Sequence, residues 1–156
     1  MPSSQTTGAG GETVHQQISF TLSLDKASYQ FSATSPAHME ATLFFFSTVS
    51  PPVVLEFFSL QHFEIIIIND NGDQVFQWSA GRAFPQIASN IPVTGEVKWD
   101  VDVALVDNLT ANKGKALPAG RYIAQSFLVN HTDLGTRNPP AFSKKYAANL
   151  QFTIGD

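Results

Sequence analysis

Hydrophobic and polar residues alternate with a period of two along much of the chain. The clearest case is residues 96–105, where one face carries charged or small residues and the other carries apolar ones: Val97, Trp99, Val101, Val103 and Leu105. This pattern is typical of a strand buried on one face, because successive side chains point to opposite sides of a sheet. A slip of one residue would turn the charged face inward, so we expect the register to be strongly specified.

Seven further segments favour strands. Residues 17–24 and 39–46 alternate in the same way, whereas Phe63 to Ile68 is almost wholly apolar and predicts a strand covered on both faces. The remaining candidates are residues 53–57, 74–79, 121–129 and 146–154. No segment has the period of an amphipathic helix. About eight short strands with Gly and Pro turns therefore predict an all-β, antiparallel two-sheet sandwich.

Two local signals refine this architecture. Asn71-Gly72, within the polar run Asn69 to Asp73, predicts a hairpin closed by a type I′ turn, whose two central residues both need positive φ. Gly120 lies two residues before Tyr122 at the start of a strand, which is typical of the tyrosine corner of immunoglobulin-like sandwiches. The predicted fold is therefore an immunoglobulin-like sandwich.

The length of 156 residues fits one domain with a substantial core. Residues 1–16 are polar and Gly-rich and predict a flexible arm or linker, followed by a single sandwich domain over residues 17–156. The alternative for the first segment is an arm that becomes ordered only against a partner.

Composition narrows the classes of function. The net charge is −4 and Lys144-Lys145 is the only adjacent basic pair, so we do not expect nucleic-acid binding, which needs clustered cations. The apolar runs are too short for membrane insertion. Because the chain has no cysteine and no visible signal peptide, its sequence favours the cytoplasm and leaves export open.

The sequence contains no motif typical of catalysis or of metal binding. The four histidines form no close ligand pair, and no GxSxG, P-loop or GxGxxG sequence occurs, so we expect no enzyme activity, no metal and no cofactor. Asp100 with Asp102, and the carboxylates of the hairpin, have the oxygen ligands that calcium uses but lack the EF-hand spacing. Asn108 and Asn130 each begin a glycosylation sequon, whose use the sequence leaves open.

The segment after the predicted hairpin is the best candidate for a partner-binding surface. A strand ends near Trp78, Gly81 turns the chain, and an arginine and a phenylalanine follow in a predicted loop. Exposed arginine and aromatic side chains on a rigid scaffold are typical of binding surfaces. With Arg82 or Phe84 as its anchor, the predicted contact segment is Arg82, Ala83, Phe84, Pro85 and Gln86.

Four motifs resemble the BsuPI family of bacterial intracellular proteinase inhibitors, and they follow one another along the chain in the order typical of that family. The most distinctive is VFQWSAGRAF at residues 75–84, and the others are LSLDKASY at 22–29, WD at 99–100 and LPAGRY at 117–122. The resemblance covers residues 18–129. It implies an immunoglobulin-like sandwich that inhibits intracellular subtilisin-like serine proteases. The strongly apolar stretch from Phe44 to Phe58 departs from the family pattern.

Two functions are compatible with these observations. The first is a protein-binding module that inhibits a serine protease through a projecting loop. The second is a structural or assembly subunit, in which the N-terminal arm or a sheet edge pairs with a neighbour and the stretch from Phe44 to Phe58 supplies the interface. The expected partner is therefore a protease or another copy of the chain.

Overall fold

The computed structural model describes residues 5–7, 12–15, 18–47, 54–57, 61–87, 89–92, 96–128, 131–133 and 147–155. Asn130 and the pair Lys144-Lys145 fall outside these ranges, as do parts of the N-terminal segment and of the stretch from Phe44 to Phe58. Within the described ranges the chain forms thirteen β-strands and no helix.

The strands form three sheets. Their bounds are β1 (Gln5–Thr7), β2 (Glu12–His15), β3 (Ile18–Leu24), β4 (Ser28–Gln30), β5 (His38–Ser47), β6 (Val54–Phe57), β7 (Phe63–Asn69), β8 (Gln74–Gln77), β9 (Ser89–Pro92), β10 (Glu96–Ala104), β11 (Gly120–Leu128), β12 (His131–Asp133) and β13 (Ala147–Gly155). The sheet orders are β1-β2-β3-β5-β10, β4-β13-β11-β7-β8 and β12-β6-β9. Every pairing is antiparallel except that of β4 with β13. Each predicted strand is present, and the additional ones, β1, β2, β4, β9 and β12, have three or four residues each.

The first two sheets enclose the hydrophobic core. Alternate residues of their strands point into it, as the period of two predicts. On β10, Val101 and Val103 are buried while the intervening Asp102 is exposed. The largest fully buried side chains are Phe20, Leu22, Met39, Leu43, Ile65, Ile67 and Phe152. These observations confirm the all-β sandwich.

Strand β7 is buried on both faces, as its apolar sequence predicts. Ile65 and Ile67 enter the core, while Ile66 packs on the opposite face with Phe127. β7 pairs with β11 on one side and with β8 on the other. It is therefore the rigid support on which the edge strand β8 is built.

The N-terminal segment contains two short strands that extend the first sheet, and a flexible arm or linker over residues 1–16 stays a prediction. Strands β1 and β2 pair with each other, and β2 pairs with β3, so that Val14 lies opposite Ser19. The physical reason is the edge of β3, whose backbone N–H and C=O groups need partners. Because β2 supplies them within the same chain, this edge of β3 is not open to a neighbouring copy.

The hairpin between β7 and β8 also differs from the prediction. Gly72 N donates to Asn69 O at 3.0 Å, and Asn69 N donates to Asp73 O at 2.9 Å. Asp70 and Asn71 therefore form the centre of the turn and Gly72 follows with φ 86°, which is a three-residue loop with a glycine bulge rather than a type I′ turn. Asn69 Oδ1 fixes this wider loop because it accepts hydrogen bonds from Asn71 N and Asp73 N.

The predicted tyrosine corner is present. Tyr122 Oη donates to Pro118 O at 2.6 Å, and the Tyr122 ring stacks on Phe152 with centroids 5.5 Å apart. Burial, together with the nearby negative charge of Asp107, raises the pKa of Tyr122 above its usual value. The phenol therefore remains protonated and ties the loop before β11 to the core.

Removal of the Tyr122 hydroxyl should destabilise the fold without changing its architecture. We expect Tyr122→Phe to lower the free energy of unfolding by about 1 kcal/mol, because Pro118 O loses its donor while the ring contact with Phe152 remains. Urea denaturation followed by tryptophan fluorescence measures the change. Ile123→Val, at an exposed neighbour, is the control. A Tyr122→Phe midpoint equal to that of the unaltered protein would contradict this role of the hydroxyl.

Candidate functional site

Strand β8 ends at Gln77, two residues earlier than predicted, and a turn follows from Trp78 to Gly81. Three backbone hydrogen bonds define it: Trp78 N to Ile65 O at 2.8 Å, Ala80 N to Gln77 O at 3.1 Å and Arg82 N to Ser79 O at 3.0 Å. Gly81 has φ 79°, a left-handed conformation that glycine adopts without steric cost. The turn therefore ends the pairing of β8 at a fixed point.

A buried carboxyl group contacts this turn. Glu64 on β7 is 6% exposed and forms no salt bridge with a described residue. Its oxygens instead accept five hydrogen bonds: Oε1 from Ile65 N at 3.1 Å and Ser79 N at 3.0 Å, and Oε2 from Gln61 Nε2 at 3.1 Å, Gln77 Nε2 at 3.2 Å and Ser79 Oγ. Burial of a carboxyl group is tolerated only with such partners. Glu64 therefore holds the turn and the end of β8 to β7.

An aromatic stack joins the turn to the core. The Phe63 ring contacts both Trp78 and Trp99, with centroid distances of 4.6 and 5.1 Å. Phe84 extends the stack beyond Trp78 at 5.6 Å. Aromatic pairs at these separations contribute beyond the area that they bury. Since Phe63 belongs to β7 and Trp99 to β10, the stack connects the two sheets that enclose the core to the loop.

The structure places both predicted anchor residues against Trp78. The Arg82 guanidinium lies over the indole, 4.6 Å from the ring centroid, and Arg82 Nε donates to Trp78 O at 2.8 Å. Phe84 is half-buried on the same indole. Within the described ranges Arg82 makes no salt bridge. Both side chains therefore hold the loop to its own turn.

The other residues of the predicted contact segment are exposed. Ala83, Pro85 and Gln86 face solvent, and the next residue, Ile87, is 56% exposed. Among the described residues, the peptide groups of 83–87 take part in no hydrogen bond. The predicted contact segment did not include Ile87. The one signal for Ile87 in the sequence is an isoleucine that stands outside any run of alternating apolar and polar residues. The turn from Trp78 to Gly81 thus forms a fixed base for the segment, whose own peptide groups are unpaired among the described residues.

The free side of β8 is the edge of its sheet, and Asn108 lies along it. Asn108 Oδ1 accepts from Gln77 N and Asn108 Nδ2 donates to Gln77 O, both at 2.9 Å, while Asn108 N donates to Val75 O at 3.1 Å. The residue thus reproduces the hydrogen bonds of a neighbouring strand and closes this edge. The amide nitrogen of the Asn108 sequon is accordingly engaged in the fold.

Asp107 sets the conformation of the loop that carries Asn108. Its carboxyl group accepts from Leu109 N and Thr110 N at 2.9 Å each and from Thr110 Oγ1 at 2.5 Å. Burial alone would raise the pKa of Asp107, but the hydrogen bonds from Thr110 and Leu109 outweigh burial and hold the pKa below its ordinary 3.8. The ionised carboxylate therefore stabilises the loop.

The acidic pair considered as a calcium site makes other contacts. Asp102 lies 3.0 Å from His38 Nδ1, and Asp100 accepts from Thr42 Oγ1 at 2.9 Å. No group of three or more metal-ligating side chains occurs in the part of the chain that the structure describes. No helix long and apolar enough to cross a membrane occurs there either.

The residues of this site lie within the match to a known protein family. The family model described as "BsuPI: Intracellular proteinase inhibitor" matches residues 22–132, which is most of the chain. The chain belongs to the BsuPI family of intracellular proteinase inhibitors. All four motifs that resemble the family fall within the match, as does the whole segment from Glu64 to Ile87. The resemblance seen in the sequence is therefore confirmed.

The solved structures that match this BsuPI-family protein share little sequence with it. A β-glucosidase from Erythrobacter marinus matches with a TM-score of 0.48 and 8% identity, over 88% of this chain and 15% of that enzyme's chain. The CARDB domain of a Pyrococcus furiosus protein in complex with di-metal ions has a TM-score of 0.41 and 7% identity, over 90% and 96% of the two chains. The C-terminal domain of Wzt has a TM-score of 0.45 and 10% identity, over 100% and 80%. No curated protein matches the sequence.

The lowered pKa of Asp107 predicts an acid sensitivity of this BsuPI-family protein. Because the folded-state pKa lies below the ordinary value of 3.8, Asp107 stabilises the fold above that pH, and its contribution is lost as the pH falls through the folded-state pKa. Asp107→Asn should therefore lower the free energy of unfolding at neutral pH and flatten its decline in acid. Urea denaturation across this pH range measures both effects, with Asp73→Asn at an exposed carboxylate as the control. Parallel acid profiles of Asp107→Asn and the unaltered protein would contradict the assignment.

Proposed function

We propose that this chain inhibits a subtilisin-like serine protease by placing the segment from Arg82 to Gln86, together with Ile87, in the substrate cleft of the protease. Membership of a family of proteinase inhibitors supports a protein partner and an inhibitory role. The family description as intracellular favours a protease of the same compartment. The observation that carries the proposal is that the backbone of residues 83–87 forms no hydrogen bond with any described residue, while the turn before it is fixed.

An unpaired backbone is suited to a protease cleft. An extended peptide bound to the edge of a sheet pairs its N–H and C=O groups with that edge, while its side chains enter successive pockets. The peptide groups of residues 83–87 make no hydrogen bond within the described chain. Their carbonyl groups, and their N–H groups except at Pro85, which has none, are therefore available for such pairing. Pro85 fixes one φ angle and lowers the conformational entropy that binding removes.

One end of the segment is fixed to the core sheets and the other lies close to a strand, which supports inhibition over rapid cleavage. On one side the turn from Trp78 to Gly81 is bound to Glu64 and to the backbone of β7. On the other side Ser89 begins β9, which pairs with β6 in the third sheet. A loop ordered before association loses less entropy on binding.

The partner-facing side chains are those that the fold does not use. Arg82 and Phe84 lie on Trp78, so the groups free to enter the pockets of a protease belong to Ala83, Pro85, Gln86 and Ile87. None of these carries a charge. The segment therefore fits a protease with apolar or neutral pockets, and Ile87 is its largest exposed apolar group.

Titration of the purified chain into a subtilisin assay tests the proposal. The chain should reduce hydrolysis of a peptide substrate at about micromolar concentration or below. Ile87→Asp should weaken this inhibition by about tenfold or more, because an apolar contact would be replaced by a desolvated, unpaired charge.

Ile123→Asp is the matched control for this experiment. Ile123 is an isoleucine of similar exposure, 42% against 56% for Ile87, but it lies on β11 rather than in the loop. We expect this variant to inhibit as well as the unaltered chain. Absence of inhibition at micromolar excess of the unaltered chain, or equal losses in the two variants, would contradict the proposal.

A further inference from the structure

We infer that Glu64 is a positioning residue of the inhibitory loop, whose carboxyl group fixes the turn from Trp78 to Gly81 in the conformation that inhibition needs. This inference rests on the proposed function of the loop. Glu64 is 6% exposed, so it does not contact a protease itself. It acts through the residues that it binds at the end of β8 and in the turn.

The donors to Glu64 come from both sides of the junction between strand and loop. Gln61 Nε2 and Ile65 N belong to the chain around β7. Ser79 N, Ser79 Oγ and Gln77 Nε2 belong to the segment that leads into the loop, so three of the five donors lie there. Because these hydrogen bonds converge on one carboxyl group, a change in that group weakens all of them at once.

The network continues from Glu64 to the first residue of the contact segment. Gln77 Nε2 also donates to Ser79 Oγ at 2.8 Å, and Ser79 O accepts from Arg82 N at 3.0 Å. Ser79 is therefore bound to Glu64 through its N–H and hydroxyl groups and to Arg82 through its carbonyl group. Displacement of Ser79 would shift Arg82 relative to the Trp78 indole, and with it the start of residues 83–87.

The surroundings of Glu64 make its dependence on these donors strong. It lies opposite Phe127 on β11, on the face where Ile66 and Phe127 form a buried apolar cluster. A carboxyl group beside such a cluster is favourable only while its donors are in place, because a buried oxygen that loses a donor is not reached by bulk water. Glu64 thus favours the turn geometry in which the three donors of Gln77 and Ser79 reach it.

Glu64→Gln tests the inference, because it keeps the shape of the side chain and replaces one acceptor oxygen by an NH2 donor. In the full chain we expect inhibition of subtilisin to weaken by about tenfold to a hundredfold, the effect of one or two unmade buried hydrogen bonds. Cleavage within residues 83–87 should become detectable by mass spectrometry. Ser79→Ala removes the hydroxyl that donates to Glu64 and accepts from Gln77 Nε2, and it keeps the Glu64 carboxyl group and Ser79 N. It should weaken inhibition in the same direction and decides the question if Glu64→Gln does not fold.

Ser126→Ala is the matched control. Ser126 Oγ donates to Glu64 O at 3.0 Å, so this variant removes a buried hydrogen bond from the same residue and leaves the carboxyl network intact. It should lower the urea midpoint and keep the inhibition constant of the folded protein. Unchanged inhibition in Glu64→Gln, or equally weakened inhibition in Ser126→Ala, would overturn the positioning role.

Amide hydrogen exchange distinguishes failure of this inference from failure of the proposed function. In Glu64→Gln and Ser79→Ala the amides of residues 79 and 82 should exchange faster, while the Asp107 amide, bound to Lys115 O at 2.9 Å, keeps its rate. If the unaltered chain inhibits no protease, the proposed function fails, yet this local increase still supports Glu64 as the group that fixes the turn. Unchanged exchange at residues 79 and 82 would overturn the inference.

Discussion

The end of β8 determines how the site is built, because its peptide groups need hydrogen-bond partners where no strand continues the sheet. Side chains supply them. Glu64 accepts from Ser79 N, and the Asn108 amide pairs with both the N–H and the C=O of Gln77. The chain therefore leaves the sheet at a fixed point, and residues 83–87 can remain unpaired without loosening the strand before them. The fixed turn before the segment, and peptide groups at residues 83–87 that are unpaired among the described residues, thus both follow from the hydrogen bonds at the end of β8.

Much of the sandwich could be predicted because its signals are local. Alternation identifies β10, since a slip of one residue would bury charged side chains such as Asp102. The Tyr122 corner depends on a short stretch of sequence in the same way. The five short strands have too few residues to show a period. Three of them, β4, β9 and β12, also pair with strands that lie far along the chain. The hairpin loop was mispredicted because the Asn69 side chain, and not the Asn71-Gly72 pair alone, decides its length.

The candidate site was less accessible to sequence analysis, because its contacts are not local. Glu64 reads as an interruption of an apolar run, and nothing in the sequence connects it with Ser79, fifteen positions later. Residue chemistry favoured Arg82 and Phe84 as anchors that project to a partner, yet the Trp78 ring binds both. The contact of the Trp78 ring with Phe63 holds the ring in this position, and this contact is visible only in the packed structure. Residues 82–86 remain the proposed contact segment, but in the proposal Arg82 and Phe84 hold the loop to its turn and the other residues contact the partner.

Hydrogen-exchange mass spectrometry of a complex with a subtilisin variant lacking its catalytic serine shows which segment of the chain contacts the protease. We expect residues 82–87 to gain protection in the complex. The hairpin at residues 69–73 and the loop at residues 107–117, which are built from other contacts, should exchange at their free rates. Protection of either of those segments, or of the N-terminal strands β1 and β2, with no change at residues 82–87, would contradict the account.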